Sequence, residues 1–204
     1  MAQNTSHAVM QQRHEAHDSL DDFPTPPWAT RALLNHVLGY SVVPAHRVWE
    51  PAANRGYMVR PLREYFNDVR ASDIYDYGAG FEVADFLMPT VEDRRDWIFT
   101  NPPFRLAAQF AARCRDLEPR YGYGLLVRSA FLEGVDRYET LFKPYPPAII
   151  AQFVERVPMV KGRHDPNAST ATSYTWLVWL TGARDTKFVW IPPCRRQLQK
   201  PTDA

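Results

Sequence analysis

Apolar and polar positions alternate along residues 21–194 in two periods, one typical of strands and one typical of helices. Strand-like runs fall at residues 47–52, 69–74, 82–87, 97–100, 124–130, 148–157 and 174–180. Helical patterns fall between them, at residues 28–38, 58–66, 106–117 and 135–142. This alternation predicts an α/β sandwich around a mainly parallel seven-stranded sheet that ends in an antiparallel C-terminal hairpin.

A length of 204 residues predicts one domain, over residues 21–194, with a core of its own. Residues 1–20 and 195–204 are polar and predict flexible N-terminal and C-terminal tails. The 45% of hydrophobic and 23% of charged residues are typical of a globular chain, and no apolar run approaches the roughly 20 residues of a spanning helix. We therefore expect a cytoplasmic protein. Cys114 and Cys194 stand outside any metal-ligand spacing, so we expect no metal site and no disulfide.

The net charge of +1 hides an asymmetry between the two halves of the chain. Residues 1–104 carry 9 basic and 14 acidic side chains, a net −5, whereas residues 105–204 carry 15 and 9, a net +6. Arginine outnumbers lysine 20 to 4, which favours bidentate contacts with phosphates. Charge alone leaves two interpretations open, a nucleic-acid partner or scattered solvated charge.

A polar residue, two prolines and an aromatic follow the buried strand at residues 97–100, as Asn101-Pro102-Pro103-Phe104. An exocyclic amino group of a base is a poor nucleophile because its lone pair is delocalised into the ring. Two acceptors, the Asn101 Oδ1 and the Pro102 carbonyl, can draw its nitrogen toward tetrahedral geometry. The prolines stiffen the loop, and Phe104 can stack on a base taken out of its duplex. The alternative is a rigid turn that only closes a strand.

Polar groups also follow the earlier strands, where open α/β sheets place their ligands. Glu50 ends the first strand and is followed by a turn through Asn54 and Gly56, two residue types that tolerate positive φ. Asp73 ends the next strand and is a candidate for binding ribose hydroxyls, or else a helix N-cap. Asp85 and Phe86 end the third strand and are candidates for binding an adenine ring, or else a surface carboxylate beside a core side chain.

Together these pieces resemble the amino-methylating DNA methyltransferases, in their γ-type motif order, over about residues 22–131. The segments that carry the resemblance are Thr25-Pro26-Pro27, Glu50-Pro51-Ala52, Asp73, Asp85-Phe86-Leu87 and Asn101-Pro102-Pro103-Phe104. The resemblance implies a Rossmann-like class I methyltransferase fold and the cofactor S-adenosyl-L-methionine (SAM). It assigns the methionine end of SAM to Thr25, Pro26, Glu50 and Ala52, the ribose to Asp73, and the adenine to Asp85 and Phe86. Asn54, Gly56 and Asn101 complete the implied cofactor site.

Residues 125–183 are similar to small phage and prophage DNA methyltransferases. A polar, basic segment within them predicts a protruding loop at residues 158–172. Lys161 and Arg163 are candidates for phosphate contacts, and His164 or Asn167 for contact with a base. The alternative is an exposed hairpin loop with no ligand.

The leading hypothesis is a DNA methyltransferase that methylates the N6 of a flipped adenine. Cytosine N4 is chemically equivalent, and RNA adenine and a protein glutamine amide remain open as acceptors. An inactive nucleic-acid-binding module of the same fold is the competing hypothesis.

Overall fold

A computed structural model describes residues 21–90 and 93–203 of the chain. Its centre is a sheet of eight strands, in the order β3-β2-β1-β4-β5-β7-β6-β8. The strands are β1 (Arg47–Glu50), β2 (Asp68–Asp73), β3 (Glu82–Val83), β4 (Trp97–Thr100), β5 (Gly122–Arg128), β6 (Ile149–Phe153), β7 (Tyr174–Leu180) and β8 (Lys187–Ile191). The tail predicted at residues 1–20 lies outside the described residues.

The sheet is mostly parallel, as predicted. Strands β1 to β5 pair in parallel, and β7 inserts antiparallel between β5 and β6. The predicted antiparallel pair of strands near the C-terminus is confirmed, but the predicted number of seven strands is wrong. The eighth strand, Lys187–Ile191, pairs in parallel with β6 at the edge of the sheet. Its sequence, Lys-Phe-Val-Trp-Ile, is rich in aromatic and β-branched residues typical of a strand, a signal that the seven-strand prediction missed.

Helices cover both faces of the sheet. They are α1 (Pro27–Ala32, continued by the π-helical turn Leu33–Leu38), α2 (Val59–Tyr65), α3 (Ala107–Asp116), α4 (Val135–Arg137, continued by the π-helical turn Tyr138–Phe142) and α5 (Arg195–Leu198). Trp28, Leu62 and Trp176 belong to the core on the α1 side of the sheet. Trp49, Phe110 and Leu177 belong to the core on the α3 side. The sheet is therefore buried on both faces, which explains the near-continuous apolar runs of β4 and β5.

The flexible tail predicted at residues 195–204 is wrong for the described part, which is ordered against the domain. Asp203 is buried, and its carboxylate accepts two hydrogen bonds from the guanidinium of Arg31, at 2.7 and 2.8 Å. Arg31 also pairs with Glu64, at 2.6 and 2.9 Å. One polar residue of this segment, Asp203, is thus buried in a charge network, whereas Arg196, Gln197, Lys200, Pro201 and Thr202 are exposed. We call Arg31, Glu64 and Asp203 the C-terminal clasp.

Within the described residues no helix is long and apolar enough to cross a membrane. The same part of the chain contains no group of three or more His, Cys, Asp or Glu side chains arranged to hold a metal ion. Cys114 and Cys194 are both buried free thiols.

Candidate active site

A cleft lies at the edge of the sheet where the parallel strands end, between the neighbouring strands β1 and β4. The chain leaves β1 toward β2 and β3 on one side, and β4 leads to β5 on the other, so the cleft stands at a switch point of the topology. It encloses about 780 Å³ of empty space, part of it open to solvent. We call it the carboxyl-edge cleft. The predicted site residues that line it are Thr25, Glu50, Ala52, Asn54, Asp73, Asp85, Phe86, Asn101 and Pro103.

Glu50 is the most buried ionisable group of this cleft. Its side chain is fully buried, and Oε1 accepts hydrogen bonds from the Thr100 hydroxyl, at 2.6 Å, and from the Ala52 N–H, at 2.9 Å. Its other oxygen, Oε2, is buried without a partner. Burial raises the pKa of Glu50 to about 8, against these two hydrogen bonds, which lower it. The carboxyl group is therefore poised to ionise when a cation arrives beside it.

The raised pKa of Glu50 predicts a stability that falls with increasing pH. The folded protein keeps the Glu50 carboxyl proton up to a pH of about 8, whereas the unfolded chain releases it near pH 4.5. The contribution of protonated Glu50 to the free energy of unfolding is therefore full below pH 4.5 and is lost by pH 8. Urea unfolding from pH 5 to 8 should show wild type losing stability relative to Glu50→Gln. The exposed control Glu133→Gln should follow wild type, and parallel curves for wild type and Glu50→Gln would contradict the prediction.

Asn101 follows β4 directly, and its amide is held in one orientation. Nδ2 donates to the carbonyl oxygen of Phe23, at 3.0 Å, and lies 3.8 Å from the Met159 sulfur. The amide oxygen, Oδ1, is buried without a partner. Because the NH₂ side is fixed, the oxygen remains available as an acceptor toward the cleft. A buried acceptor without a donor is costly, and such groups concentrate at functional sites.

The remaining loop residues differ in their positions. Pro103 lines the cleft. Pro102 is buried, and Phe104 is half-buried. The Phe104 ring centroid lies 5.2 Å from that of Phe23, and the Arg128 guanidinium stands 4.0 Å from its centre. One ring face of Phe104 is therefore in contact with a cation at the end of β5. The role of this ring in stacking a base stays a prediction.

The turn after β1 has the backbone that its sequence predicts. Asn54 has a φ of 50°, and its N–H donates to Asp73 Oδ2 at 2.8 Å. Asp73 also accepts from the Tyr75 N–H at 3.0 Å. Burial raises the pKa of Asp73, and these backbone N–H groups partly offset it. Gly56 does not line the cleft. A Cβ at this position would lie 2.9 Å from the Phe81 ring, so the group packed closely against Gly56 is a side chain of the protein itself.

The third strand end and the Thr-Pro segment complete the wall of the cleft. Asp85 accepts a hydrogen bond from the Leu87 N–H at 2.9 Å, and Phe86 is buried between Trp49 and Phe110. Thr25 is buried in the wall, but Pro26 lies behind it, at the start of α1. The apolar side of the cleft is thus formed by aromatic rings, a surface suited to a planar ligand.

The loop predicted at residues 158–172 lies beside the cleft rather than in its lining. The His164 ring packs 4.9 Å from Tyr57, which lines the cleft, and burial lowers the pKa of His164. Arg163 and Asn167 are exposed, and Arg163 forms a long ion pair with Asp165 at 3.5 Å. Lys161 is half-buried. The loop therefore brings basic and polar groups near the cleft, and their contact with a substrate stays a prediction.

Several residues that position the site were not identified from the sequence. Phe23 holds Asn101 through its carbonyl, and Asp22 binds both Asn54 and Arg55, with distances of 2.7 to 2.9 Å. These contacts join residues 32 to 78 positions apart, so no local pattern indicates them. Thr100 had a visible signal, because a hydroxyl in the buried run of β4 requires a polar partner.

Comparison with known proteins gives a likeness of fold. No family model matches the chain, and no curated protein matches its sequence. A modification subunit assigned to a type I restriction enzyme of Vibrio vulnificus YJ016 matches 96% of this chain with a TM-score of 0.58 and 14% identity. The match covers 52% of that subunit, so the chain spans about half of its length.

Two further solved structures share the fold. A protein described as an RNA methyltransferase of Pyrococcus horikoshii has a TM-score of 0.56 at 14% identity, over 88% of this chain and 98% of its own. Magnesium protoporphyrin IX methyltransferase of Synechocystis, solved with bound SAM, has a TM-score of 0.53 at 11% identity, over 75% and 79%. The chain has the Rossmann-like fold of the SAM-dependent methyltransferases.

Proposed function

We propose that this protein transfers a methyl group from SAM to the exocyclic amino nitrogen of a flipped base in DNA, with adenine N6 as the acceptor. One observation carries the proposal. The Asn101 Oδ1 is buried in the carboxyl-edge cleft without a donor, while its Nδ2 is fixed by Phe23. An amide oxygen held in this way is suited to accept a hydrogen bond from an –NH₂ group that enters with the substrate.

The chemistry of the cleft fits SAM. The described lining contains four acidic side chains, those of Asp21, Glu50, Asp73 and Asp85, and no Lys or Arg, so it favours a ligand with positive charge. SAM carries an ammonium and a sulfonium. The unpartnered Glu50 Oε2 is suited to accept from the ammonium. Asp73 is suited to the ribose hydroxyls, and Asp85 beside Phe86 to the adenine, as the resemblance implies.

When bound, SAM would supply an electrophilic methyl group, with the neutral thioether S-adenosylhomocysteine as the leaving group and one proton released from the methylated nitrogen to water. The residues of this chain prepare the nitrogen. Asn101 Oδ1 and the Pro102 carbonyl would accept hydrogen bonds from its two N–H groups and localise its lone pair. The two prolines hold these acceptors in place at low entropy cost. Phe23 keeps the Asn101 amide from turning its donor side toward the substrate.

Support for DNA as the polymer comes from the γ-type resemblance and from the likeness in fold to a restriction-enzyme modification subunit. Support for a flipped base comes from the burial of the Asn101 Oδ1, because an amino group that is still paired inside a duplex cannot reach a buried acceptor. The loop at residues 158–172 lies beside the cleft, where Lys161, Arg163, His164 and Asn167 would contact the DNA around the flipped base. RNA and glutamine amides are the alternative acceptors.

The test is a transfer assay with methyl-labelled SAM and three polymers at low salt, which are duplex DNA, RNA and unfolded protein. We expect label in DNA. Label in RNA or protein alone would move the acceptor to another polymer and overturn the DNA assignment. A thermal shift with SAM but no transfer to any polymer would favour the inactive binding module.

A further inference from the structure

A second cleft opens at the opposite edge of the sheet, where β1, β4 and β5 begin and β7 ends. We call it the amino-edge cleft. It encloses about 1940 Å³ of empty space, part of it open to solvent. Gly122 and Leu180, which face each other across β5 and β7, both line it. From Gly122, β5 runs about 20 Å before it reaches Arg128 at the carboxyl edge, so the two clefts are separate.

The two clefts have opposite charge. The amino-edge cleft is lined by seven basic and two acidic side chains, which are Arg47, Arg94, Arg95, Arg115, Arg120, Lys143 and Arg184 against Asp96 and Glu118. The described lining of the carboxyl-edge cleft carries carboxylates and no Lys or Arg. Part of the positive charge of the C-terminal half thus lies away from the candidate active site, and the proposed methyl transfer does not use it.

Part of this positive charge is available to a ligand. Within the described residues Arg120 and Arg184 have no carboxylate within ion-pair distance, and both are exposed. The other five lining cations are paired, and four of these pairs lie at or near the surface, where such pairs contribute little and exchange partners readily: Arg47 with Asp96, Arg94 with Glu118, Arg115 with Asp116 and Lys143 with Glu139. Arg95 is held more firmly, by Asp68 and Asp93 at 2.7 and 2.5 Å.

Aromatic rings stand among these cations. The Arg115 guanidinium lies 4.3 Å from the centre of the Tyr145 ring, and that of Arg120 lies 5.1 Å from the Tyr121 ring. Tyr145 is 46% exposed, and its carbonyl accepts a hydrogen bond from the Trp179 indole at 2.9 Å, which fixes the backbone of the cleft wall. Planar guanidinium groups and partly exposed rings side by side are suited to phosphates and to stacked bases together.

We propose that the amino-edge cleft binds the sugar-phosphate backbone of a single nucleic-acid strand. The inference deepens the proposed function, on which it rests for the choice of nucleic acid as the polymer. An acidic protein segment would also meet the positive charge. The predominance of arginine over lysine, six to one in the lining, and the arginine–tyrosine pairs favour the nucleic acid.

The test measures binding without SAM, by fluorescence anisotropy of a labelled 20-nucleotide single strand. The double variant Arg120→Ser/Arg184→Ser should bind about tenfold more weakly at low salt. The slope of log affinity against log salt should fall by about 1.4, since each lost phosphate contact of a single strand contributes about 0.7. The charge-matched control Arg63→Ser/Arg196→Ser removes two exposed arginines outside the lining of either cleft and should retain most of the affinity and slope.

Equal losses in the two double variants would overturn the proposal, as would a wild type that does not bind the strand. Stronger competition by an oligoglutamate than by an unlabelled strand would overturn it in favour of an acidic protein partner. Because the assay needs neither SAM nor transfer, its failure is distinguishable from failure of the proposed function. Loss of binding in Arg120→Ser/Arg184→Ser would support the cleft even if wild type transferred no methyl group.

Discussion

Replacing Asn101 by Ala should lower the rate of methyl transfer by about 10² to 10³, the usual effect of removing one preorganised polar group from a reacting centre. The amide oxygen is the buried acceptor that the substrate amino group would meet, and alanine offers no acceptor there. The thermal shift caused by SAM should remain, because Glu50, Asp73 and Asp85 still line the cleft. Initial rates with labelled SAM measure the first effect, and the unfolding midpoint with and without SAM measures the second.

The matched control for this variant is Asn67→Ala, which removes an exposed asparagine side chain outside the cleft lining and should leave the rate unchanged. A transfer rate of Asn101→Ala within a few-fold of wild type would remove the proposed role of Asn101. Loss of the SAM shift together with the rate would instead make Asn101 chiefly a cofactor-binding residue.

Replacing Arg31 by Met should destabilise the protein by about 3 kcal/mol or more, because it leaves the buried Asp203 carboxylate without its cation. Glu64 is less buried and keeps its ion pair with Lys200, at 2.7 Å. Arg31 is 2% exposed and Asp203 is 4% exposed. The Arg31 guanidinium holds the pKa of Glu64 below its ordinary value, and it outweighs burial to lower that of Asp203 as well. The clasp should therefore stabilise the fold above the ordinary carboxyl pKa range and lose this effect as the pH falls below it. Urea unfolding of both proteins at pH 7 and at about pH 2.5 measures the destabilisation and its loss in acid.

Arg94→Met is the control for the clasp, since Arg94 also pairs with a glutamate, Glu118, but at the surface. It should cost less than about 1 kcal/mol. A similar small loss for Arg31→Met would show that the C-terminal segment contributes little to the fold. The segment would then be the tail that its polar sequence suggests.

The strands that carry the candidate site were predictable because their patterns are strong. Strand β4 has the predicted bounds, Trp97–Thr100, and the Pro102-Pro103 pair after it marks its end in the sequence. Strand β7 also has its predicted bounds, Tyr174–Leu180. In both, a buried apolar run is followed by residues that stop a strand, so pattern and tertiary structure agree.

The features that the sequence did not indicate all depend on distant contacts. The buried charge of Asp203 is neutralised by Arg31, 172 positions earlier in the chain. The orientation of Asn101 depends on a backbone carbonyl 78 positions away. Gly56 was assigned to the implied cofactor site, yet the space beside its Cα is taken by the Phe81 ring. A glycine in a turn indicates close approach, but not what approaches it.

The separation of charge between the two clefts also changes how the composition is understood. The excess of basic residues after position 104 favours a polyanionic partner, and the natural expectation would place them around the reacting base. The described lining of the carboxyl-edge cleft is instead acidic, as a cationic cofactor requires, and seven basic side chains line the opposite edge. A count of charged residues along the sequence does not show which of the two clefts carries the positive charge.

The atom that receives the methyl group decides whether the Asn101 loop prepares an amino nitrogen for methylation. DNA incubated with the protein and trideuteromethyl-labelled SAM is digested to nucleosides and analysed by mass spectrometry. We expect N6-trideuteromethyl-deoxyadenosine with wild type and its near-complete loss with Asn101→Ala. Label on a ring carbon or ring nitrogen, or an equal yield from both proteins, would exclude the proposed role of the loop.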